Sequence, residues 1–352
     1  SAAGQDGSRT LAIPPLLEGA EDRPVTLRAQ PGETEFFNGA RSATFGYNGS
    51  YLGPTLRVRR GQRIPVSVVN ALAEPTTLHW HGLLVPGPLD GGPHQTIAPG
   101  ATWQPVLPVD QPAATLIYHS HVHGRTAEQV YAGLLGLLII SDDEERSLGL
   151  PSEYGVDDIP LILQDRHFQD GMLVLPTGMM TLMNGRRGDT ILVNGTPGPV
   201  APVPGRLVRL RLANGSNARI YHLGFDDNRT FHWIASEGGL LEHAVALRSI
   251  SLAPGERAEV LVDFSNGEPV SLRSGPDVNM PMMGMMARSG GGRAPQTIVR
   301  FEPQSSTARA IRVPDRLARR QVLEIPSGAR RRRLTLTMGM AMMGGAMMGR
   351  GV

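Results

Sequence analysis

The 352-residue chain contains no cysteine, an absence that removes disulfides, thiolate metal sites and cysteine nucleophiles together. It has no lysine either, so all 34 basic residues are arginine, set against 32 acidic ones. A formal charge of +2 leaves no basic excess for a nucleic-acid partner, and none is expected. The densest basic run, Arg330 to Arg333, reads as a solvated strand entrance rather than a phosphate site. Long apolar runs are missing as well. The most apolar stretch, Leu134 to Ile140, has only the length of a strand, so no membrane span is expected. The opening Ser1-Ala2-Ala3-Gly4 reads either as the trimmed small-residue end of an exported protein or as an expression scar, and the expected location is periplasmic or secreted.

Turn formers are abundant. With 43 glycines and 29 prolines, and frequent Pro-Gly and Asn-Gly steps, the chain has many turns and little room for helix. An all-β protein follows. Its length suits two domains of about 150 residues plus connections.

An internal repeat supports that division. Gly61-Gln62-Arg63-Ile64-Pro65-Val66-Ser67-Val68-Val69-Asn70 is mirrored by Gly205-Arg206-Leu207-Val208-Arg209-Leu210-Arg211-Leu212-Ala213-Asn214. In the same order, Ile97-Ala98-Pro99-Gly100 is mirrored by Leu252-Ala253-Pro254-Gly255, each leading into an alternating strand. Many short alternating strands within each unit point to two Greek-key β-sandwiches in tandem. The expected layout is a first domain over residues 1–145, a linker over 146–160, a second domain over 161–303, and a tail over 304–352 made of a linker and the methionine-rich start of an incomplete third domain. In that tail a strand is expected to restart at Arg333-Leu334-Thr335-Leu336-Thr337, opening a third unit that is not completed.

Five of the ten histidines fall in two runs, His79-Trp80-His81-Gly82 and His119-Ser120-His121-Val122-His123-Gly124. Side chains alternate across a strand, so each His-x-His pair presents two imidazoles on one face. Two neighbouring strands of this kind converge four imidazoles on one small volume. Imidazole suits copper, zinc, iron and nickel, so the donors alone do not choose the metal. The competing reading is a set of satisfied structural histidines. Ser120, flanked by histidines, lacks the surroundings of a hydrolase nucleophile.

With these runs go Asp90-Gly91-Gly92-Pro93, Val109-Asp110-Gln111-Pro112-Ala113-Ala114, Leu192-Val193-Asn194-Gly195 and Ile234-Ala235-Ser236-Glu237-Gly238-Gly239. Over most of residues 20 to 340 the chain resembles the bacterial multicopper oxidases of the CueO-like copper-efflux oxidase and laccase kind. The resemblance implies cupredoxin-like domains and copper as cofactor. It implies His79 as a type 2 copper ligand, His81, His119 and His121 as type 3 ligands, His123 outside them, and Asp90 as the acid that helps deliver protons to dioxygen. As a plain reading, Asp90 is a turn aspartate before two glycines. The family's third domain supplies four further cluster histidines and a type 1 cysteine, and this chain has no cysteine.

Fifteen methionines gather in three groups, Met172 to Met183, Met280 to Met286 and Met338 to Met348. Thioethers select cuprous copper. In the last group Met338, Met340, Met342, Met343, Met347 and Met348 alternate with glycine and alanine, without the spacing of a core stripe, and are candidate Cu(I) ligands. His94 reads as a solvated loop histidine, His222 as the second unit's counterpart of His79 without a partner two residues on, and His167, His232 and His243 as structural. Three functions fit these features. One is an oxidase acting on Cu(I) or small phenols with dioxygen, completed by a third cupredoxin domain in the same or another chain. Another is a copper-binding or storage module without turnover, and the third is a cupredoxin-fold protein used for interaction.

Overall fold

The structure, a computed structural model, describes residues 9–179, 181, 185–276, 295–308, 310–320 and 322–335. Among these the regular structure is almost wholly β, in keeping with the turn-rich composition. One sheet orders its strands Leu16–Glu18, Thr55–Arg59, Leu135–Ser141, Ala114–His119 and His79–His81. A second packs over it with the order Ala40–Tyr47, Val25–Phe37, Arg63–Asn70 and Thr102–Trp103, with Val106–Pro108 also paired to Arg63–Asn70. Arg63–Asn70 alternates exposed and buried residues along its length, and Ile64, Val66 and Val68 join Leu27, Leu56, Leu116 and Trp80 in the core between the sheets.

The same plan recurs further along the chain. A large sheet orders Thr196–Pro197, Thr190–Val193, Asp158–Gln169, Leu207–Asn214, Arg257–Asp263, Phe231–Ser236 and Gly239–Leu247. Facing it lie Val200–Pro204, Gln296–Gln304, Val270–Ser274, Tyr221–Phe225 and Ser249–Leu252. The repeat read from sequence is matched at atomic detail. Asn70 ends its strand by donating from Nδ2 to the Ile97 carbonyl at 2.8 Å, and Asn214 does the same to Leu252 at 2.9 Å. Gly100 N–H bonds Asn70 O at 2.8 Å, and Gly255 N–H bonds Asn214 O at 2.9 Å. Each asparagine thus pins the following Ala-Pro-Gly turn against its strand.

Leu207–Asn214 departs from a half-exposed strand, because it is buried along both faces. Val208, Leu210 and Leu212 enter the core of the second sandwich. Arg209 and Arg211, on the opposite face, meet Glu259, Glu145 and Asp158 at distances down to 2.5 Å, and Arg211 also donates to Thr115 of the first sandwich at 2.9 Å. A smaller apolar cluster of Leu52, Ile117, Leu135, Leu137, Ile162 and Ala213 completes the junction between the sandwiches.

Three sequence expectations need correction. The segment expected as a linker over 146–160 is more ordered than that. A short helix, Asp143–Ser147, runs from the first domain into its start, N-capped by Asp142, which accepts from Glu145 N–H at 2.7 Å, and the strand Asp158–Gln169 begins inside it. Residues after Gln304 are not all free of the sandwich, since Leu317 and Ala318 are buried with Ile234, Leu240 and Leu261. One compact unit ends at Ala318, and Arg319 opens a second. Within that second unit the strand expected over residues 333–337 is absent as far as Thr335, and Leu336 and Thr337 lie outside the described residues. Consecutive arginines offer no apolar face there, and Leu334 is exposed. No helix among the described residues is long and apolar enough to cross a membrane.

Candidate metal centre

The two histidine runs meet because their strands are hydrogen-bonded neighbours. His79–His81 pairs antiparallel with the end of Ala114–His119, in a register that sets His79 opposite His119 and Trp80 opposite Tyr118. Alternation sends Trp80 and Tyr118 into the core, both fully buried, and the imidazoles of His79 and His81 to the other side. His121, two residues beyond His119, is held by its backbone N–H, which donates to Thr77 Oγ1 at 2.7 Å. Ring centroids of His79 and His119 are 5.4 Å apart, those of His79 and His121 5.3 Å, and those of His81 and His119 5.4 Å. Donor nitrogens of His79, His81 and His119 all fall within 4.8 Å of one another.

Hydrogen bonds determine which nitrogen each ring offers. His79 Nδ1 lies 2.9 Å from the Asp90 carbonyl and His119 Nδ1 2.8 Å from the Ser120 carbonyl. A carbonyl only accepts, so both Nδ1 atoms carry the proton and both Nε2 atoms keep a bare lone pair. This is the way a ligating imidazole is oriented by its surroundings. His81 Nδ1 sits 3.1 Å from His119 Nε2, within hydrogen-bond distance. Two ring nitrogens this close would serve as ligands of one ion. His121 Nδ1 is buried and finds no hydrogen-bond partner among the described residues. An all-imidazole donor set with one orphaned ring nitrogen fits copper.

Burial lowers the basicity of the cluster. It is the largest cause in pushing His81 down to about 4, with help from Arg257 and the neighbouring histidines, and in pushing His119 down to about 3 despite its bond to Ser120. At neutral pH both rings are therefore uncharged and available as ligands. Free histidine titrates near 6.5, so an unfolded chain binds more protons than the native one just below that pH. The stability these rings contribute is present above pH 6.5 and declines as pH falls toward 4. The metal-free protein is expected to melt at progressively lower temperature between pH 6.5 and 5, and a His81→Gln, His119→Gln variant to show a shallower decline. Equal slopes would contradict this.

Asp90 approaches the cluster with both of its oxygen groups. Its carboxylate Oδ2 lies 3.4 Å from His79 Nδ1, beside the carbonyl that already accepts from that nitrogen, and its side chain is 35% exposed. Gly91 makes this possible. With φ at +70° it adopts a backbone that side chains resist, and a Cβ there would lie 1.7 Å from the Leu78 carbonyl. Ser120, fully buried, donates to Gln129 Oε1, which also accepts from Thr76 at 2.8 Å. Gln129 in turn donates to Glu74 at 2.7 Å. Sequence reasoning set Ser120 aside as a nucleophile, and its place in this network accounts for it. Gln129 was missed, because nothing in its local sequence marks a buried amide.

The other histidines stay apart from the cluster. His123 is exposed, His94 faces the Gly87 carbonyl at 3.2 Å, and His222 meets Ser251 Oγ at 2.7 Å. Met338, Met340, Met342, Met343, Met347 and Met348 lie outside the described residues, as do Met280 to Met286.

Comparisons with known proteins agree with this geometry. A sequence profile described as "Multicopper oxidase" matches residues 28–145, the span that holds both histidine runs. Cell division protein FtsP of Salmonella typhimurium is 44% identical over 275 residues, covering 78% of this chain and 58% of that protein. Multicopper oxidase mco of Staphylococcus haemolyticus is 44% identical over 272 residues, covering 76% of this chain and 60% of that protein. The chain thus spans somewhat under two thirds of the length of these curated relatives. Among solved structures, the laccase-like multicopper oxidase CueO of Ochrobactrum sp. superposes with a TM-score of 0.82 at 41% identity, over 89% of this chain and 68% of its own. Sandwich order, histidine strands and these likenesses coincide, and the chain belongs to the multicopper oxidase family, whose cofactor is copper.

Proposed function

We infer that this chain carries one half of a multicopper oxidase centre, the half built from His79, His81, His119 and His121. The observation that carries the reading is the convergence of three imidazole nitrogens within 4.8 Å, with His121 packed edge-on against His79. In the complete assembly the reaction is oxidation of Cu(I) or a small phenol, coupled to four-electron reduction of dioxygen to water. Bound copper supplies the one-electron exchange that imidazoles cannot. The chain's own residues hold and orient. His79 and His119 are fixed by their Nδ1–H bonds to backbone carbonyls, and Asp90 reaches from solvent to His79, where its carboxylate can hold a proton for a developing oxygen anion.

A type 1 thiolate is required for electron entry, and this sequence contains no cysteine. Competence therefore rests on a third cupredoxin domain, in the same or another chain. Capture of Cu(I) by the methionines of residues 338–348, export to the periplasm or medium, and a place in copper homeostasis belong to the same proposal. Shortening the chain before Met338 is expected to weaken cuprous binding, and unaltered Cu(I) affinity would remove that ligand role.

A second reading is a copper-binding module without turnover, favoured by the missing cysteine. The 44% identity to a protein named for cell division favours an interaction role, against which the convergent histidines weigh. Copper content, visible spectrum and dioxygen uptake separate the three. The chain alone is expected to bind copper, to lack an intense blue band and to consume no dioxygen on addition of cuprous ions. Uptake is expected only once a third domain is supplied. Turnover by the chain alone would contradict the dependence on a third domain, and absence of copper binding would leave the interaction reading.

A further inference from the structure

We propose that the second sandwich is part of the metal site: the turn Ala253-Pro254-Gly255-Glu256, together with Arg257, positions the His81 imidazole. This inference rests on the reading of the four histidines as copper ligands.

The turn is the repeated element already recognised in sequence, and its two copies face different surroundings. Gly100, in the first sandwich, has a φ of +77° and nothing within 4 Å of the position a Cβ would take. Gly255, its counterpart, has a φ of +82°, and a Cβ there would lie 3.0 Å from His81 Cε1 and 3.6 Å from His81 Nε2. Backbone conformation alone explains glycine at both positions. Only at Gly255 does the missing side chain also leave room for an imidazole. The turn is rigid, because Asn214 pins Leu252 and Gly255, and Glu256 accepts from Ala253 N–H at 2.7 Å.

Arg257 fastens this turn to the strand that carries His119. Its side chain is 3% exposed, and Nε donates to the Thr115 carbonyl at 3.1 Å, on the strand Ala114–His119. Nη1 donates to the Gly255 carbonyl at 2.9 Å and to the Glu237 carboxylate, and Nη2 donates to the Glu237 carbonyl at 3.0 Å. A side chain on Gly82, the residue after His81, would meet Arg257 Nη2 at 2.7 Å. The guanidinium therefore packs against the backbone of the histidine strand while bonding the neighbouring strand and the turn. Its planar fork satisfies several carbonyls at fixed angles, which a lysine ammonium does not reproduce. Arg257 is a positioning residue, since it acts on the metal only through His81.

The test compares Gly255→Ala with Gly100→Ala in the full chain, using Cu(II) alone as the probe. Both variants strain the same turn in the same way, and only the first crowds His81. Cu(II) affinity by chelator competition, the electron paramagnetic resonance spectrum of bound Cu(II), and melting of the metal-free protein are measured for each. Gly255→Ala is expected to weaken copper by about 10–100-fold, the size of a lost supporting interaction, and to shift the spectrum. Gly100→Ala is expected to bind like the wild type at a similar loss of melting temperature. Arg257→Gln is expected to follow Gly255→Ala, with Arg257→Lys recovering little. Wild-type affinity and spectrum in both Gly255→Ala and Arg257→Gln would overturn the inference while leaving the copper site standing. Failure of the wild-type chain to bind Cu(II) would overturn the site reading itself.

Discussion

Replacing His119 and His121 together by alanine is expected to weaken copper binding by more than about 100-fold, with both sandwiches still folded. Loss of a single residue supporting a ligand costs about 10–100-fold in affinity, and this variant removes two ligands themselves. His119 closes a strand and His121 follows it, and their backbone bonds do not depend on the rings. Truncating His119 leaves no buried charge unpaired, because that ring is already neutral and its partners are the Ser120 carbonyl and His81. The melting temperature of the metal-free variant is therefore expected to stay near that of the wild type, with a stability change of about 1 kcal/mol. Unchanged copper content in a folded variant would remove these residues from the site.

The second large effect concerns folding. Glu259→Ala is expected to cost about 3–5 kcal/mol, the penalty for removing one partner of a buried ion network. Glu259 is 1% exposed and accepts from Arg209 at 2.8 Å, from Thr115 at 2.7 Å and from Arg211 at 3.1 Å. Burial alone would raise its pKa, but Arg209 and Arg211 more than offset that and hold it down to about 2. Without it the two guanidiniums keep only Asp158 and Glu145 as carboxylate partners among the described residues, and Thr115 loses its acceptor. Because the folded value lies below the free value of 4.5, its contribution is present above pH 4.5 and is lost as pH falls toward 2. Thermal unfolding near neutral pH, followed by calorimetry, should show a drop on the order of 10 °C. A drop of only a degree or two would mean that solvent reaches the network.

These two effects differ in how far sequence alone could foresee them. The convergence of the histidines was legible because period-two alternation and a two-residue spacing are local, and one strand pairing suffices to join the runs. Asp90 was legible only through resemblance, as its approach to His79 depends on Gly91 folding back beneath the Leu78 carbonyl. The tandem sandwiches were legible in the repeat, down to Asn70 and Asn214. What escaped was everything decided between the sandwiches. Arg209 and Arg211 alternate with leucine and valine as solvent-facing residues would, and nothing in Leu207–Asn214 announces that Thr115 and Asp158 cover them. Likewise Gly255 reads as an ordinary turn glycine until His81 is placed beside it. The helix Asp143–Ser147, across the expected boundary at 145, was not read from sequence because it is short and its buried Glu145 serves the same network.

The measurement that tests the central claim most directly is the electron paramagnetic resonance spectrum of Cu(II) added in known amounts to the wild-type chain at neutral pH. The account predicts saturable, tight binding with hyperfine splitting from several nitrogens, and loss of that splitting in the His119→Ala, His121→Ala variant. A spectrum of oxygen-ligated or unbound copper in the wild type would contradict it, and the convergence of His79, His81, His119 and His121 would then be structural.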